Sequence, residues 1–199
     1  MTVARGVVPP NLPISPAEYS VRYQDQLNNV LRLYFTQLSN RINTPIAHAS
    51  YYDTTTQTNP VANQVNLFTY NSVVSEFGIT RGVPTSKIFV SQTGVYNFQF
   101  SAQIDKTVAG VDQIWIWPRI NGVNVPDSAT KINIQGSAEA EVAAWNFLLV
   151  MKGVDYFGLA WESPEDDMII LAEPPASNYP GIPSIILTVT WISNYEANE

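Results

Sequence analysis

The stretch Val95-Tyr96-Asn97-Phe98-Gln99-Phe100-Ser101 decides the fold class, because its aromatic side chains alternate with polar ones. Successive side chains of a β-strand point to opposite faces, so this strand is predicted to have one buried face and one wet face. Comparable runs follow Pro45 and are separated by Gly, Pro, Asn and Asp clusters. The candidate strands are 47–52, 64–70, 76–80, 86–91, 94–105, 112–120, 129–135, 140–151, 154–162, 168–173 and 184–193. This succession of short strands predicts a mainly β protein, a jelly-roll β-sandwich.

Two candidate strands are apolar on both faces, Ile114-Trp115-Ile116-Trp117 and Trp145-Asn146-Phe147-Leu148-Leu149-Val150. A sandwich of one chain covers only the inner face of each sheet, so the outer side chains need a further cover. Charged residues make up only 14% of the sequence, against about 25% in typical soluble domains. We therefore predict contacts between like subunits. The candidate subunit contacts are Tyr96, Phe98, Phe100, Trp115 and Trp117.

A long helix is predicted before the strands. Ser15-Pro16-Ala17-Glu18 combines a capping hydroxyl, a proline at the first helical position and a glutamate at the third. The helix is predicted from Pro16 until Pro45 ends it. An apolar seam recurs every three or four residues along it. The seam consists of Tyr23, Leu27, Leu31, Tyr34, Leu38 and Ile42. We predict a parallel trimeric coiled coil, with packing on the chain's own β-domain and docking on another protein as alternatives.

The first 14 residues contain three prolines and no helical period, so they are predicted to be extended. Their apolar side chains favour docking into a groove of another protein over a frayed terminus. The docking residues are predicted to be Val3, Val7, Val8, Leu12 and Ile14. The domain organisation is therefore an extended docking arm over 1–14, a helix over 15–44 and a jelly-roll sandwich over 45–199.

Several function classes are disfavoured by composition. The sequence has no cysteine and a single histidine, His48, so it lacks thiolate nucleophiles, disulfides and Cys-ligated zinc. We interpret His48 as structural, between helix and sheet. No run of Lys and Arg interleaved with aromatics predicts nucleic-acid binding, and no apolar stretch approaches the ~18 residues of a membrane span. A basic-then-apolar leader pattern is also missing from the N-terminus.

The densest polar cluster is Glu162-Ser163-Pro164-Glu165-Asp166-Asp167. Its spacing does not follow the calcium loop that needs alternate oxygen ligands and a central glycine. Because Pro164 interrupts the run between two candidate strands, a solvated loop is the favoured interpretation; a calcium site and a pair of glycosidase carboxylates are the alternatives. Trp115 and Trp117 share one strand face, where core or subunit contact is favoured and a sugar-binding platform is the rival interpretation.

The stretch 89–102 reads Phe-Val-Ser-Gln-Thr-Gly-Val-Tyr-Asn-Phe-Gln-Phe-Ser-Ala. It is similar to the Gly-x-Tyr-x-Phe strand of the tumour-necrosis-factor-like and complement-like trimeric jelly rolls, and the β-region resembles that family. Ile120-Asn121-Gly122 and the stretch 149–157 resemble its later strand turns, the second with Val154 inserted. The closing strand 187–192 is also similar. The resemblance covers roughly residues 60–193 and implies a TNF-like jelly roll that forms trimers.

A second resemblance lies in residues 12–38. Leu12-Pro13-Ile14-Ser15-Pro16-x-x-Tyr19, followed by Tyr23-x-x-Gln26-Leu27-Asn28-Asn29-Val30-Leu31-Arg32-Leu33-Tyr34-Phe35-x-Gln37-Leu38, is similar to the start of small structural proteins of tailed marine bacteriophages, including cyanophages. This resemblance implies a component of the virion and brings no catalytic residues onto the chain.

Together these patterns predict a homotrimeric phage structural protein, anchored to the particle by its arm and helix. It would act as a capsid decoration or short head or tail fibre component, with itself and other virion proteins such as capsid, portal or tail as partners. No enzyme activity, cofactor or metal is expected. The alternative is a receptor-binding adhesin whose loops 53–63, 105–112, 163–167 or 174–183 hold a host surface glycan. A glycosidase using Glu162, Glu165, Asp166 and Asp167 is the least favoured hypothesis.

Overall fold

The computed structural model describes residues 9–42, 45–136 and 140–195. The chain divides into two compact units, residues 1–45 and residues 46–199.

The first unit contains one helix, α1 (Val21–Ile42). The Ser20 hydroxyl accepts the Tyr23 backbone N–H at 3.3 Å, and the Ser20 carbonyl accepts that of Gln24 at 3.0 Å, so Ser20 is the N-cap. The predicted start at Pro16 is therefore wrong. The Ser15 hydroxyl donates to the Pro16 carbonyl and does not accept a hydrogen bond from the first turn of a helix. Among the described residues, no helix is long and apolar enough to cross a lipid bilayer.

The predicted seam coincides with the half-buried side chains of α1. Tyr23, Leu27, Leu31, Tyr34 and Leu38 are half-buried, as is Val30. The other side chains described on α1 are exposed. Ile42 is the last helical residue, and its side chain lies outside the described part. The coiled coil stays a prediction.

The predicted docking arm is only partly described. Val3, Val7 and Val8 lie outside the described residues. Leu12 and Ile14 lie in a segment without regular secondary structure, and Ile14 is 95% exposed. Docking of this arm stays a prediction.

The second unit is built from strands. They are β1 (His48–Asp53), β2 (Gln57–Thr58), β3 (Asn66–Leu67), β4 (Ser72–Phe77), β5 (Ile79–Arg81), β6 (Ile88–Val90), β7 (Gly94–Lys106), β8 (Gly110–Ile120), β9 (Val123–Asn124), β10 (Thr130–Gly136), β11 (Glu141–Met151), β12 (Tyr156–Glu162), β13 (Met168–Ile170) and β14 (Ile185–Ser193). The predicted strand 76–80 is wrong, because Gly78 adopts a φ of 66° and separates β4 from β5.

The strands form two antiparallel sheets. Sheet A has the order β2-β13-β7-β14-β1-β4, with β11 paired along the free edge of β7. Sheet B has the order β10-β8-β12-β6-β5, with β3 added on β12 and β9 on β8. The inner faces of both sheets share one hydrophobic core, so the predicted β-sandwich is confirmed.

The central strand β7 supplies the middle of that core. Its alternation is as predicted, with Tyr96, Phe98 and Phe100 buried and the intervening residues facing outward. Phe98 stacks on Phe157 of sheet B, with ring centroids 4.0 Å apart. Tyr96, Phe98 and Phe100 are therefore not subunit contacts, and that prediction is wrong. Periodicity identifies the buried face of a strand, but it does not say whether the second sheet or a second chain covers it.

Candidate functional site

The outer face of sheet A is aligned by strand register into continuous rows. In the first row, Leu148 of β11 is followed by Asn97 of β7, Thr190 of β14, His48 of β1 and Phe77 of β4. The first four of these residues point outward because their neighbours along the strand are buried or half-buried in the core. Phe77 lies beside His48 in register and is 46% exposed.

Two further rows continue the same surface. The second consists of Asn146, Gln99, Thr188, Ser50 and Ser75, and the third of Ala144, Ser101, Ile186, Tyr52 and Ser72. None of the residues in the three rows is Lys, Arg, Asp or Glu. We name these three rows the uncharged face.

Several apolar side chains on this face are open to solvent in the single chain. Leu148 is 65% exposed, Phe77 46% and Ile186 42%. Other exposed apolar residues lie on the same strands, namely Val74, Val142, Val150 and Ile192. Depletion of charge combined with exposed apolar groups is the composition of the centre of protein interfaces.

His48 lies on the uncharged face, and both of its ring nitrogens form hydrogen bonds. Its Nδ1 lies 2.8 Å from the Ile46 carbonyl oxygen, which can only accept, so Nδ1 carries the proton and donates. Its Nε2 lies 3.1 Å from the Ser75 hydroxyl and accepts from it in the neutral ring. The imidazole stacks on Phe77 with centroids 6.3 Å apart. His48 is therefore structural, on an exposed sheet face.

An apolar pocket of about 580 Å³ adjoins the third row. Tyr52, Val74 and Ile186 supply its sheet side, and a proline-rich loop with Pro174 and Ile182 supplies the other side. This pocket extends the apolar surface of sheet A toward one end of the sandwich.

The outer face of sheet B is different because it carries charges. Lys131 of β10, Trp115 of β8 and Glu162 of β12 lie side by side in register. Arg119 follows on the same side of β8, and the Lys87 ammonium lies 4.8 Å from the centre of the Tyr156 ring. Charged side chains next to aromatic ones are suited to contact with water or a soluble ligand.

A groove of about 790 Å³ opens on this second face. Trp115 and Trp117 lie along it, together with Asn63, Asn124, Asp127 and Glu162. Trp115 and Trp117 lie on the same face of β8, as predicted. Whether they contact another subunit stays a prediction.

The acidic segment 162–167 is held in place by an amide. The Asn59 side chain donates to the carbonyls of Ser163 at 3.3 Å and Glu165 at 2.7 Å. The Glu165 N–H donates to the Ser163 hydroxyl at 3.1 Å. Over residues 9–42, 45–136 and 140–195, no three His, Cys, Asp or Glu side chains stand close enough to hold a metal ion.

Two tyrosines between the sheets have perturbed acidity. Burial raises the pKa of Tyr70 far above its usual value, and the nearby Asp53 carboxylate raises it further. Burial also raises the pKa of Tyr51, helped by a hydrogen bond of 2.9 Å to Glu76. Both phenols stay protonated at neutral pH and serve the core.

The comparisons with known proteins identify the fold. The sequence matches no protein-family model and no curated protein. Among solved structures, the chain is similar to the globular domain of zebrafish complement 1qA protein, with 13% identity and a TM-score of 0.50. The match covers 76% of this chain and 100% of that domain. The predicted jelly roll of complement-like type is therefore confirmed as a fold.

Proposed function

We propose that this chain is a homotrimeric structural protein of a bacteriophage virion, assembled through the uncharged face and acting as a capsid decoration or short fibre component. The observation that supports self-association is the difference in composition between the outer faces of the two sheets. The three rows of sheet A contain no charged residue and expose Leu148, Phe77 and Ile186 among uncharged polar side chains, whereas sheet B exposes Lys131, Arg119 and Glu162. The depletion of charge together with these exposed apolar side chains supports assembly through sheet A.

The free energy that burial of this face contributes is comparable to the free-energy cost of association. Fully burying one Leu, Ile or Phe side chain contributes about 1.5–3 kcal/mol. Several such side chains are partly exposed here, and strand β11 places Val142, Leu148 and Val150 at the free edge of the sheet. Their combined burial offsets the cost of association, which is about 4–15 kcal/mol.

The number three and the virion rest on resemblance. Residues 60–193 resemble trimeric jelly rolls, and the complement-like fold supports the same arrangement. Residues 12–38 resemble structural proteins of tailed phages, which supports a place in the particle. The apolar seam of α1 and the exposed Leu12 and Ile14 supply surfaces for alignment and anchoring. Three linked arms bind a particle more tightly than one because of their raised effective concentration.

A charge placed on the uncharged face tests this proposal. We expect Leu148→Glu to weaken self-association at least about tenfold, because the carboxylate loses its hydration on burial. The matched control is Val123→Glu, which changes a residue of similar exposure on β9 of sheet B and should leave the assembly intact. The measurement is sedimentation velocity over a dilution series. An unchanged sedimentation profile for Leu148→Glu contradicts the proposed interface.

A further inference from the structure

We propose that the groove on sheet B binds a neutral glycan chain. The site consists of Asn63, Trp115, Trp117, Asn124, Asp127 and Glu162, and we name it the Trp115 groove. It combines an aromatic surface with polar side chains that keep free hydrogen-bonding groups.

The tryptophans form the apolar part of the groove. Their neighbours Ile114 and Ile116 are buried in the core, so Trp115 and Trp117 point to the outer side of β8. The Trp117 indole N–H donates to the Asn124 side-chain oxygen at 2.9 Å, which fixes both side chains and leaves the Asn124 amide hydrogens available. Trp115 is half-buried and faces the groove.

The polar part of the groove is open for a ligand. Glu162 is paired in register with Trp115, while Asn63 and Asp127 lie on loops at the rim. Within the described parts of the chain, no hydrogen bond or ion pair engages the side chains of these three residues. Carboxylate and amide oxygens accept hydrogen bonds from hydroxyl groups, and the charged acceptors bind them most strongly.

A sugar ring presents the matching chemistry. One side of a hexose carries C–H groups, which pack on the electron-rich face of an indole, and its rim carries hydroxyl groups. The groove volume of about 790 Å³ lies in the range of small-molecule sites. Two carboxylates against the one nearby ammonium, Lys131 at 5.9 Å from the Trp115 ring centre, disfavour sugars that carry acidic groups.

The position of the groove keeps it accessible. It lies on sheet B, whereas the uncharged face lies on sheet A, on the opposite side of the sandwich. Glycan binding therefore does not depend on the proposed assembly, and the two proposals fail separately.

The test uses saturation-transfer NMR on the full chain with neutral oligosaccharides of glucose, galactose, mannose and N-acetylglucosamine, and with sialylated and sulfated oligosaccharides. We expect a saturation-transfer signal from at least one neutral oligosaccharide at a ligand concentration below about 10 mM. Trp115→Ala should weaken binding at least about tenfold, and Glu162→Gln, which keeps the side-chain volume, about threefold. Tyr179→Ala removes an exposed aromatic residue outside the groove and should bind normally.

Three results would overturn the proposal. The first is an absence of transfer to every neutral oligosaccharide, and the second is transfer to the acidic ones alone. The third is unchanged sugar binding in Glu162→Gln, which keeps the test decisive if Trp115→Ala does not fold. Dissociation of the assembly by Trp115→Ala, together with no sugar binding by the unmodified protein, would show instead that the groove is a contact between subunits.

Discussion

At the scale of single residues, Tyr70 and Tyr51 form a natural pair for comparison. Their rings lie 6.2 Å apart, and both are fully buried. The Tyr51 hydroxyl donates to Glu76. The Tyr70 hydroxyl has no hydrogen-bond partner among the described residues. The two hydroxyls should therefore contribute to the free energy of unfolding with opposite sign.

We expect Tyr70→Phe to raise the free energy of unfolding at pH 7 by about 1 kcal/mol, because it removes a buried polar group without a partner. Tyr51→Phe, the matched control, should lower it by about 1 kcal/mol. Urea unfolding at one fixed protein concentration measures both changes, since association also affects stability. A loss of stability in Tyr70→Phe as large as that in Tyr51→Phe contradicts this account.

The same pair predicts a dependence on pH. The pKa of Tyr70 is raised in the folded state, so the unfolded chain loses this proton first, near pH 10. Ionisation of this group therefore leaves the free energy of unfolding unchanged well below about pH 10 and lowers it as the pH rises through and above that value. Tyr70→Phe should therefore lose less stability than the unmodified protein between pH 9 and about pH 11.

At the scale of elements, the strands and their buried faces were easier to predict than the surfaces that cover those faces. The alternation around Tyr96 and Phe98 predicted a strand and its buried face, and β7 confirms both. It did not predict that the second sheet covers this face. The mistaken subunit contacts arose because a periodic pattern contains no information on contacts distant in sequence.

Local errors have similar causes. Ser15 and Ser20 both offer a capping hydroxyl before α1, and the geometry selects Ser20. The turn at Gly78 divides the predicted strand 76–80 between two sheets. Its φ of 66° favours glycine, and a side chain there would meet the Ala47 side chain at 2.9 Å. The uncharged face was predicted only in part: the run 145–150 indicated outward apolar side chains on one strand. The first row as a whole was not predicted, since it combines Leu148 with Phe77 through three intervening strands.

The N-terminal arm gives a prediction at the same scale. We expect a variant that lacks residues 1–14 to remain an assembled, soluble protein but to be missing from particles, because the arm supplies apolar anchors such as Leu12 and Ile14. Quantifying the protein in purified virions, beside the full-length chain, makes the comparison. Incorporation at the normal level would remove the docking role.

At the scale of the whole molecule, we propose different roles for the two sides of the sandwich. The uncharged face on sheet A combines exposed apolar side chains with uncharged polar ones, which suits contact with like subunits. Sheet B carries the charged residues and the Trp115 groove, which suits contact with a ligand in water. Self-association is the central claim, because the trimer, the alignment of three arms and the virion role all depend on it.

The most direct test is the molar mass of the purified full-length chain, measured by light scattering from about 100 µM down to about 1 µM. The account predicts a single species of three times the chain mass of 22.1 kDa throughout this range. A single species at 22.1 kDa at every concentration would contradict it.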